Sequence, residues 1–95
     1  MLGRIGDIFD DSKGQSDVAA VTIYWRPMCG YCATLKRELD GRGVDYDTVD
    51  IWADRDQADV VRNATGGDEI VPTVRIGSRF FVNPSADEVE EAAAA

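Results

Sequence analysis

Two cysteines separated by two residues constrain this chain more than any other feature. Cys29 and Cys32 are the only cysteines among its 95 residues. A run rich in β-branched and aromatic residues over 18–25 precedes them, and a helical pattern over 33–39 follows, so the pair stands at a strand-to-helix junction. A Cys-x-x-Cys pair in this position is typical of a redox-active dithiol. The motif therefore predicts thiol–disulfide exchange.

Structural explanations for the cysteine pair are weaker. A disulfide that closes so short a loop removes little chain entropy from the unfolded state, so it would stabilise the fold poorly. A structural zinc site needs about four ligands, and the chain offers two cysteines and no histidine. Carboxylates or a second subunit would have to complete such a site. We therefore expect no bound metal and no resident cofactor.

Size and charge narrow the classes of partner. A chain of 95 residues is expected to form one domain with one modest core. The formal net charge of −8 and the lack of a basic patch disfavour nucleic acid. The longest apolar run is too short to span a bilayer, and the first residues lack the apolar core of a secretory signal. We expect a monomer in the cytoplasm, where thiols are kept reduced.

The pattern of apolar residues and turn formers predicts an α/β chain with seven elements in the order β-α-β-α-β-β-α. Residues 1–17 show little periodicity and are expected to form a loose extension before a domain over 18–95. Strands are predicted over 18–25, 44–51, 70–76 and 79–82, and helices are predicted to begin near Cys29, Asp54 and Ser85.

The connections between these elements predict the topology. A helix joins the first two strands, so these strands should be parallel with a right-handed crossover. Gly77 and Ser78 predict a tight hairpin between the last two strands. Ser85, followed three residues later by Glu88, predicts a capping box at the start of the last helix. A four-stranded mixed sheet with helices on both faces completes the expected fold.

The element order and three motifs make the chain similar to the glutaredoxins. Its Cys-Gly-Tyr-Cys at 29–32 resembles the family's Cys-Pro-Tyr-Cys, with Gly30 in place of proline. The Val-Pro-Thr-Val at 71–74 resembles the family's Thr-Val-Pro region. The segment 83–89, which begins Asn-Pro-Ser, is similar to that of the mycoredoxins, the glutaredoxin-like proteins that use mycothiol. This resemblance covers most of the predicted domain and implies a thioredoxin fold.

The three residues before Cys29 depart from the mycoredoxin pattern. Met28 stands where those proteins usually have tryptophan. Arg26 and Pro27 look more like the Lys-Pro of other glutaredoxins and of the redoxins that serve ribonucleotide reductase. Those redoxins accept electrons from thioredoxin reductase, and their C-terminal Ser-Gly-Phe-Arg-Pro-type segment is absent from this chain.

The positions of the two cysteines suggest different roles. Cys29 precedes the helix, where N–H groups and the helix dipole favour a thiolate, so we expect it to be the nucleophile. Cys32 lies one turn inside and is expected to be the resolving thiol. The resemblance implies a cis peptide at Pro72, and Cys29 and Cys32 would share the site with substrate contacts from Arg26, Tyr31, Val71, Pro72, Thr73, Ser85 and Asp87.

Several of these contacts have simpler explanations. Arg26 is equally well explained as an ordinary solvated arginine, and Tyr31 as a cover for the site. Ser85 and Asp87 would hydrogen-bond to the sugar hydroxyls of a small thiol, whereas helix capping explains both without a ligand. The two roles are compatible.

The resemblance implies an oxidoreductase that reduces mixed disulfides between proteins and a low-molecular-weight thiol. Mycothiol with its reductase is the expected cosubstrate, and glutathione is the other small-thiol option. A protein-disulfide reductant fed by thioredoxin reductase is one alternative. An iron–sulfur carrier, in which Cys29 of two subunits and two small thiols supply four sulfur ligands, is another.

Overall fold

Seven elements in the predicted order make up residues 20–94, the part of the chain that the computed structural model describes. The predicted extension over 1–17 lies outside the described residues. The strands and helices are β1 (Val21–Trp25), α1 (Gly30–Gly41), β2 (Asp47–Asp50), α2 (Arg55–Thr65), β3 (Thr73–Ile76), β4 (Arg79–Val82) and α3 (Ala86–Ala94). No helix among the described residues is long and apolar enough to cross a membrane.

The four strands form one mixed sheet in the order β2-β1-β3-β4. Strands β1 and β2, which α1 connects, are parallel, as predicted. Strand β3 runs antiparallel to β1, with Val74 opposite Ile23, and β4 runs antiparallel to β3, with Phe81 opposite Val74. This topology is the thioredoxin fold that the resemblance implied. It places β1 in the interior of the sheet. The residues that follow β1 therefore lie near the middle of the end of the sheet where β1 terminates.

Helices cover both faces of the sheet. Neighbouring residues of a strand point to opposite faces, so Ile23 packs beneath α1 and α3 while Tyr24 packs beneath α2. Leu39 of α1 and Val89 of α3 belong to the first core, and Val61 of α2 belongs to the second. The first core holds α1 and α3 against the same face of the sheet.

Three strands begin later than predicted. Strand β1 begins at Val21 within the described residues, β2 begins at Asp47 instead of 44, and β3 begins at Thr73 instead of 70. Val44 and Tyr46 pack against the larger core although they lie before β2. Their apolar character therefore reports burial and not strand pairing. Before β3, Pro72 has no N–H with which to extend the ladder.

The helix termini agree with the predicted capping with one exception. Ser85 N–H donates to Glu88 Oε1 at 2.8 Å and Glu88 N–H donates to Ser85 Oγ at 3.1 Å, which confirms the capping box. Asp54 stands at the N-cap of α2, but its side chain makes no capping bond. The Asp50 carboxylate instead accepts hydrogen bonds from the N–H groups of residues 52 and 53.

Replacement of Leu39 by alanine tests the α1–α3 core. Leu39 is 0% exposed, so Leu39→Ala removes buried methyl groups and leaves a cavity. We expect the free energy of unfolding to fall by about 2–5 kcal/mol, measured by urea denaturation. Arg37→Ala, at an exposed position of the same helix, should change it by no more than about 0.5 kcal/mol. Equal urea midpoints for the two variants would show that Leu39 is not part of the core.

Candidate active site

The dithiol lies between the end of β1 and the start of α1, at the end of the sheet where β1 terminates. Cys29 is the N-cap residue of α1 and is half-buried, whereas Cys32 in the first turn is only 1% exposed. Both are free cysteines, and the Cys32 thiol donates toward Cys29 Sγ across 2.7 Å. One sulfur is therefore accessible and the other is shielded behind it.

The backbone of α1 stabilises negative charge on the accessible sulfur. The N–H of Cys32 donates to Cys29 Sγ at 3.3 Å. The first N–H groups of a helix have no partner within the helix, and here the sulfur takes the place of the oxygen that commonly caps such a terminus. The helix dipole adds to this preference for an anion. The geometry thus suits a thiolate at Cys29.

The second sulfur has the opposite electrostatic environment. Burial raises the pKa of the Cys32 thiol to about 12, and its hydrogen bond with Cys29 acts in the same direction. Cys32 therefore retains its proton near neutral pH. The two thiols of the motif differ in accessibility and in the backbone groups that face them, so they are suited to different steps of an exchange reaction.

The loop before β3 approaches the accessible sulfur. The Val71–Pro72 peptide is cis, as the resemblance implied, and the Val71 carbonyl oxygen lies 3.8 Å from Cys29 Sγ. Within residues 20–94 the backbone groups of Val71 take part in no backbone hydrogen bond. They are available to pair with an extended segment laid across Cys29.

Thr73 does not have the geometry of a substrate contact. It is 0% exposed, and its hydroxyl donates to the Ile70 carbonyl at 2.6 Å. The sequence-based prediction that it touches substrate is therefore not supported. Its hydroxyl instead holds together the loop that presents Val71.

Arg26 and Cys29 line the same cavity of about 440 Å³. The Arg26 guanidinium donates to the Pro27 carbonyl at 3.0 Å and lies 5.4 Å from the centre of the Trp52 ring. The charge is thus near the dithiol but is held by two neighbours of its own. Arg26 is therefore neither freely solvated nor in direct contact with Cys29, the two roles considered from the sequence.

A second cavity, of about 290 Å³, lies between α1 and the start of α3 and is called the polar groove below. Tyr31, which is 74% exposed, and Ser85 both line it. Its other polar lining residues are Thr34, Glu38, Asn83 and Glu88. Among the described residues that line the groove there is no lysine or arginine. It offers hydroxyl, amide and carboxylate groups to a ligand.

Asp87 is not among the residues that line the polar groove. Its carboxylate accepts a hydrogen bond from Arg42 Nη1 at 2.5 Å, and the same Arg42 atom lies 3.0 Å from Glu90 Oε1. Asp87 therefore joins the C-terminal end of α1 to α3, and its contact with a small thiol stays a prediction. Arg42 lies 45 residues before Asp87 in the chain, so this pairing could not be inferred from the local sequence pattern.

Two groove residues, Thr34 and Glu38, were missed in the sequence. They lie three and seven positions after Tyr31 on α1, and residues with this spacing share one helix face. The signal was present, because the face that carries Tyr31 also carries these two polar residues. Glu69 was missed as well. Its partners lie elsewhere in the fold, and it is treated separately below.

Comparison with known proteins agrees with this architecture. The glutaredoxin family model matches residues 21–81. A predicted glutaredoxin of Mycobacterium tuberculosis is 45% identical over 73 residues, which cover 76% of this chain and 87% of that protein. Mycoredoxin 1 of Corynebacterium glutamicum is 40% identical over 70 residues, covering 73% and 86%.

A solved structure gives the same result. The glutaredoxin-like protein NrdH-redoxin of Escherichia coli superposes with a TM-score of 0.66 at 25% identity, over 76% of this chain and 92% of that one. The family match spans the strand that precedes the dithiol, the helix that Cys29 caps and the cis-proline loop. The chain belongs to the glutaredoxin family.

Proposed function

We propose that this protein reduces mixed disulfides between proteins and a low-molecular-weight thiol, and that the thiol is mycothiol. The observation that carries the choice of thiol is the composition of the polar groove. Glutathione carries two carboxylates, which require well-placed cations, and the described lining of the groove contains carboxylates and no cation. Mycothiol carries its cysteine on an amino-sugar–inositol unit, whose hydroxyls can donate to those carboxylates.

Two further observations support the proposal. Mycoredoxin 1 is among the relatives that match most of the chain. Tyr31 also lies within the dithiol motif, between Cys29 and Cys32, and lines the polar groove. A thiol seated in the groove would therefore contact a residue that lies between the two cysteines in the chain. We assign Tyr31 and Ser85 to holding the small thiol.

In the first step the Cys29 thiolate attacks the sulfur of the small thiol in the mixed disulfide. A new bond forms between Cys29 and that sulfur, the original S–S bond breaks, and its electron pair leaves on the protein sulfur, which takes up a proton. Reaction by the thiolate is the general rule for this chemistry. Val71 pairs through its backbone with the extended target chain, Pro72 holds that backbone in place, and Arg26 adds positive charge near Cys29.

Two routes then regenerate the reduced enzyme. A second mycothiol attacks the Cys29-bound sulfur, releases Cys29 and forms mycothiol disulfide, which mycothiol reductase reduces. Alternatively, Cys32 loses its proton and attacks Cys29, which releases mycothiol and leaves an intramolecular disulfide. Two further mycothiol molecules then reduce that disulfide, forming mycothiol disulfide and returning both cysteines to thiols. The 2.7 Å between the two sulfurs supports the second route, while the raised pKa of Cys32 slows it. We place this cycle in the cytoplasm, in a monomer.

A second candidate function is supported by the likeness to NrdH-redoxin, a glutaredoxin-like protein with a thioredoxin-like activity profile. In that case thioredoxin reductase would reduce the Cys29–Cys32 disulfide directly, and no small thiol would occupy the polar groove. In both functions the Cys29 thiolate first attacks a disulfide of the target. The two functions differ in the source of electrons, which can be measured.

A coupled assay with one peptide mixed disulfide separates these functions. NADPH oxidation is followed with mycothiol and its reductase, with glutathione and its reductase, and with thioredoxin reductase alone. We expect turnover with mycothiol, at least tenfold less with glutathione, and none with thioredoxin reductase. Turnover with thioredoxin reductase alone would establish the second function and remove the thiol-holding role from Ser85.

Alkylation with iodoacetamide tests the difference between the two thiols. At pH 7 we expect fast addition of one label, at Cys29, because burial keeps the pKa of Cys32 near 12. Mass spectrometry of the intact protein and its peptides locates the label. Cys32→Ser should be labelled as fast as the unmodified sequence, and Cys29→Ser should be labelled slowly. Fast labelling of Cys32 in the Cys29→Ser variant would reverse the assignment of the two roles.

The same variants distinguish the two routes of regeneration. Cys29→Ser should lose all turnover, because the remaining thiol, Cys32, is buried and keeps its proton near neutral pH. Cys32→Ser should retain turnover with mycothiol, because a second mycothiol can release Cys29. The coupled assay measures both rates. Loss of activity in Cys32→Ser, with its Cys29 still rapidly alkylated, would show that the intramolecular disulfide is obligatory.

A further inference from the structure

Three side chains form a charge cluster beside the cis-proline loop. The Glu69 carboxylate accepts hydrogen bonds from Arg55 Nη1 at 3.0 Å and from Arg55 Nη2 at 2.7 Å. It also accepts a hydrogen bond from Arg62 Nη1. The paired bonds from Arg55 have the two-pronged geometry by which guanidinium groups recognise carboxylates. Glu69 thus occupies the carboxylate-binding faces of two arginines.

The charge cluster of Arg55, Arg62 and Glu69 is linked to the reacting sulfur through the loop that carries Val71. Glu69 lies two residues before Val71, and two extended residues span about 7 Å. The Val71 carbonyl oxygen is in turn 3.8 Å from Cys29 Sγ. The Glu69 side chain is 31% exposed, so the cluster is open to solvent. A ligand that reaches along this loop from Cys29 meets the cluster.

The charges of this region cancel. Asp59 also forms an ion pair with Arg62, so two arginines face two carboxylates. The bonds from Arg55 lower the pKa of Glu69, so its carboxylate stays ionised near neutral pH. Without Glu69, two guanidinium groups would face the loop with one carboxylate between them. Arginine is the side chain best suited to binding the carboxylate of a small molecule.

We propose that Glu69 is a specificity-determining residue, which disfavours thiols that carry carboxylates by occupying Arg55 and Arg62 with its own. This inference rests on the proposed function and extends it from the polar groove to the Val71 side of the site. The site then selects a neutral, hydroxyl-bearing thiol from two sides. The polar groove accepts its hydroxyls, and the charge cluster provides no open guanidinium pair for an anionic competitor.

Glu69→Gln tests this role in the first half-reaction, which needs no reductase. Reduced protein is mixed in a stopped-flow instrument with one peptide that carries either glutathione or mycothiol as a mixed disulfide. For the glutathione adduct, the half-saturating concentration should fall about fivefold, the size expected for an exposed ion pair. The limiting rate should not change. For the mycothiol adduct both values should stay within about twofold, and 0.5 M salt should remove the gain because exposed charges are screened.

Asp68→Asn is the matched control. It removes the same charge one residue away, and among residues 20–94 the Asp68 carboxylate forms no ion pair with an arginine. It should shift the half-saturating concentration of the glutathione adduct by less than twofold. An equal shift in Asp68→Asn and Glu69→Gln would show that only net charge matters, and would overturn the role of Glu69. An equal loss of rate with both adducts in Glu69→Gln would do the same, because it would indicate a loosened loop.

If Glu69→Gln does not fold, a variant that removes a positive charge from the same cluster provides a second test. Arg55→Gln removes a positive charge from the cluster and should raise the half-saturating concentration of the glutathione adduct, while the mycothiol adduct is unaffected. No difference from the unmodified sequence would overturn the proposal. The proposed function is judged separately, since it fails if mycothiol supports no turnover in the coupled assay. The glutathione comparison between variants still reports on Glu69 in that case.

Discussion

The hydrogen bond from the Cys32 N–H to Cys29 Sγ connects the fold of this protein to its chemistry. It exists because β1 ends at Trp25, a short loop turns with Met28 at a φ of +62°, and α1 then begins directly after Cys29. The same start of the helix gives one sulfur the unpartnered N–H groups that favour a thiolate. It places the other sulfur one turn inside, where burial keeps it protonated. A single helix terminus therefore makes two chemically different thiols from one residue type.

The rest of the site is assembled by the antiparallel pairing of β1, β3 and β4. Tyr24 near the end of β1 lies opposite Thr73 at the start of β3, and Thr73 lies opposite Val82 at the end of β4. The residues after β1, before β3 and after β4 therefore meet at the same end of the sheet. Those residues are the dithiol motif, the cis-proline loop and the turn that begins the polar groove. The register of three strands brings together segments that are far apart in sequence.

The sequence was informative wherever the cause of a structure is local. The order of elements follows from apolar periodicity and turn residues, and the Ser85–Glu88 capping box follows from a spacing of three. Strand boundaries were less accurate, because residues such as Val44 pack against the core before the strand begins. A hydrophobic pattern records burial, and burial does not require membership of a strand.

The site residues were likewise predictable where their position depends on a local motif and not where it depends on tertiary contacts. Cys29, Cys32, Val71 and Pro72 come from motifs, and the structure brings all four together. Thr73 belongs to the same motif, but whether its hydroxyl faces a ligand depends on how the loop closes on the Ile70 carbonyl. That closure is a tertiary property.

The ion pairs of Asp87 and of Glu69 also could not be predicted from the local sequence. Asp87 was predicted to touch substrate but binds Arg42, which is 45 residues away in sequence. Glu69 was missed because its partners lie 14 and 7 residues earlier, on α2. Neither pairing has a local spacing that would mark it. Side-chain partners across elements become visible only when the helices have been placed on the sheet.

The distribution of charge matters more for this site than its total. A net charge of −8 would by itself suggest only that anionic ligands are disfavoured at long range, where salt screens the effect. Near the dithiol, however, the described cations are each engaged by a neighbour. Arg26 lies over Trp52, Lys36 lies 3.8 Å from the centre of the Trp25 ring, and Arg55 is bound by Glu69.

These cations keep their charge, because a cation over an aromatic ring or beside a carboxylate remains ionised. What they lack is an open pair of donors aimed at a ligand carboxylate. Positive potential at the sulfur and recognition of an anionic cosubstrate are therefore separable properties. A site can favour the Cys29 thiolate while it selects a neutral thiol, and the arrangement around Glu69 is a physical means by which this chain would do both.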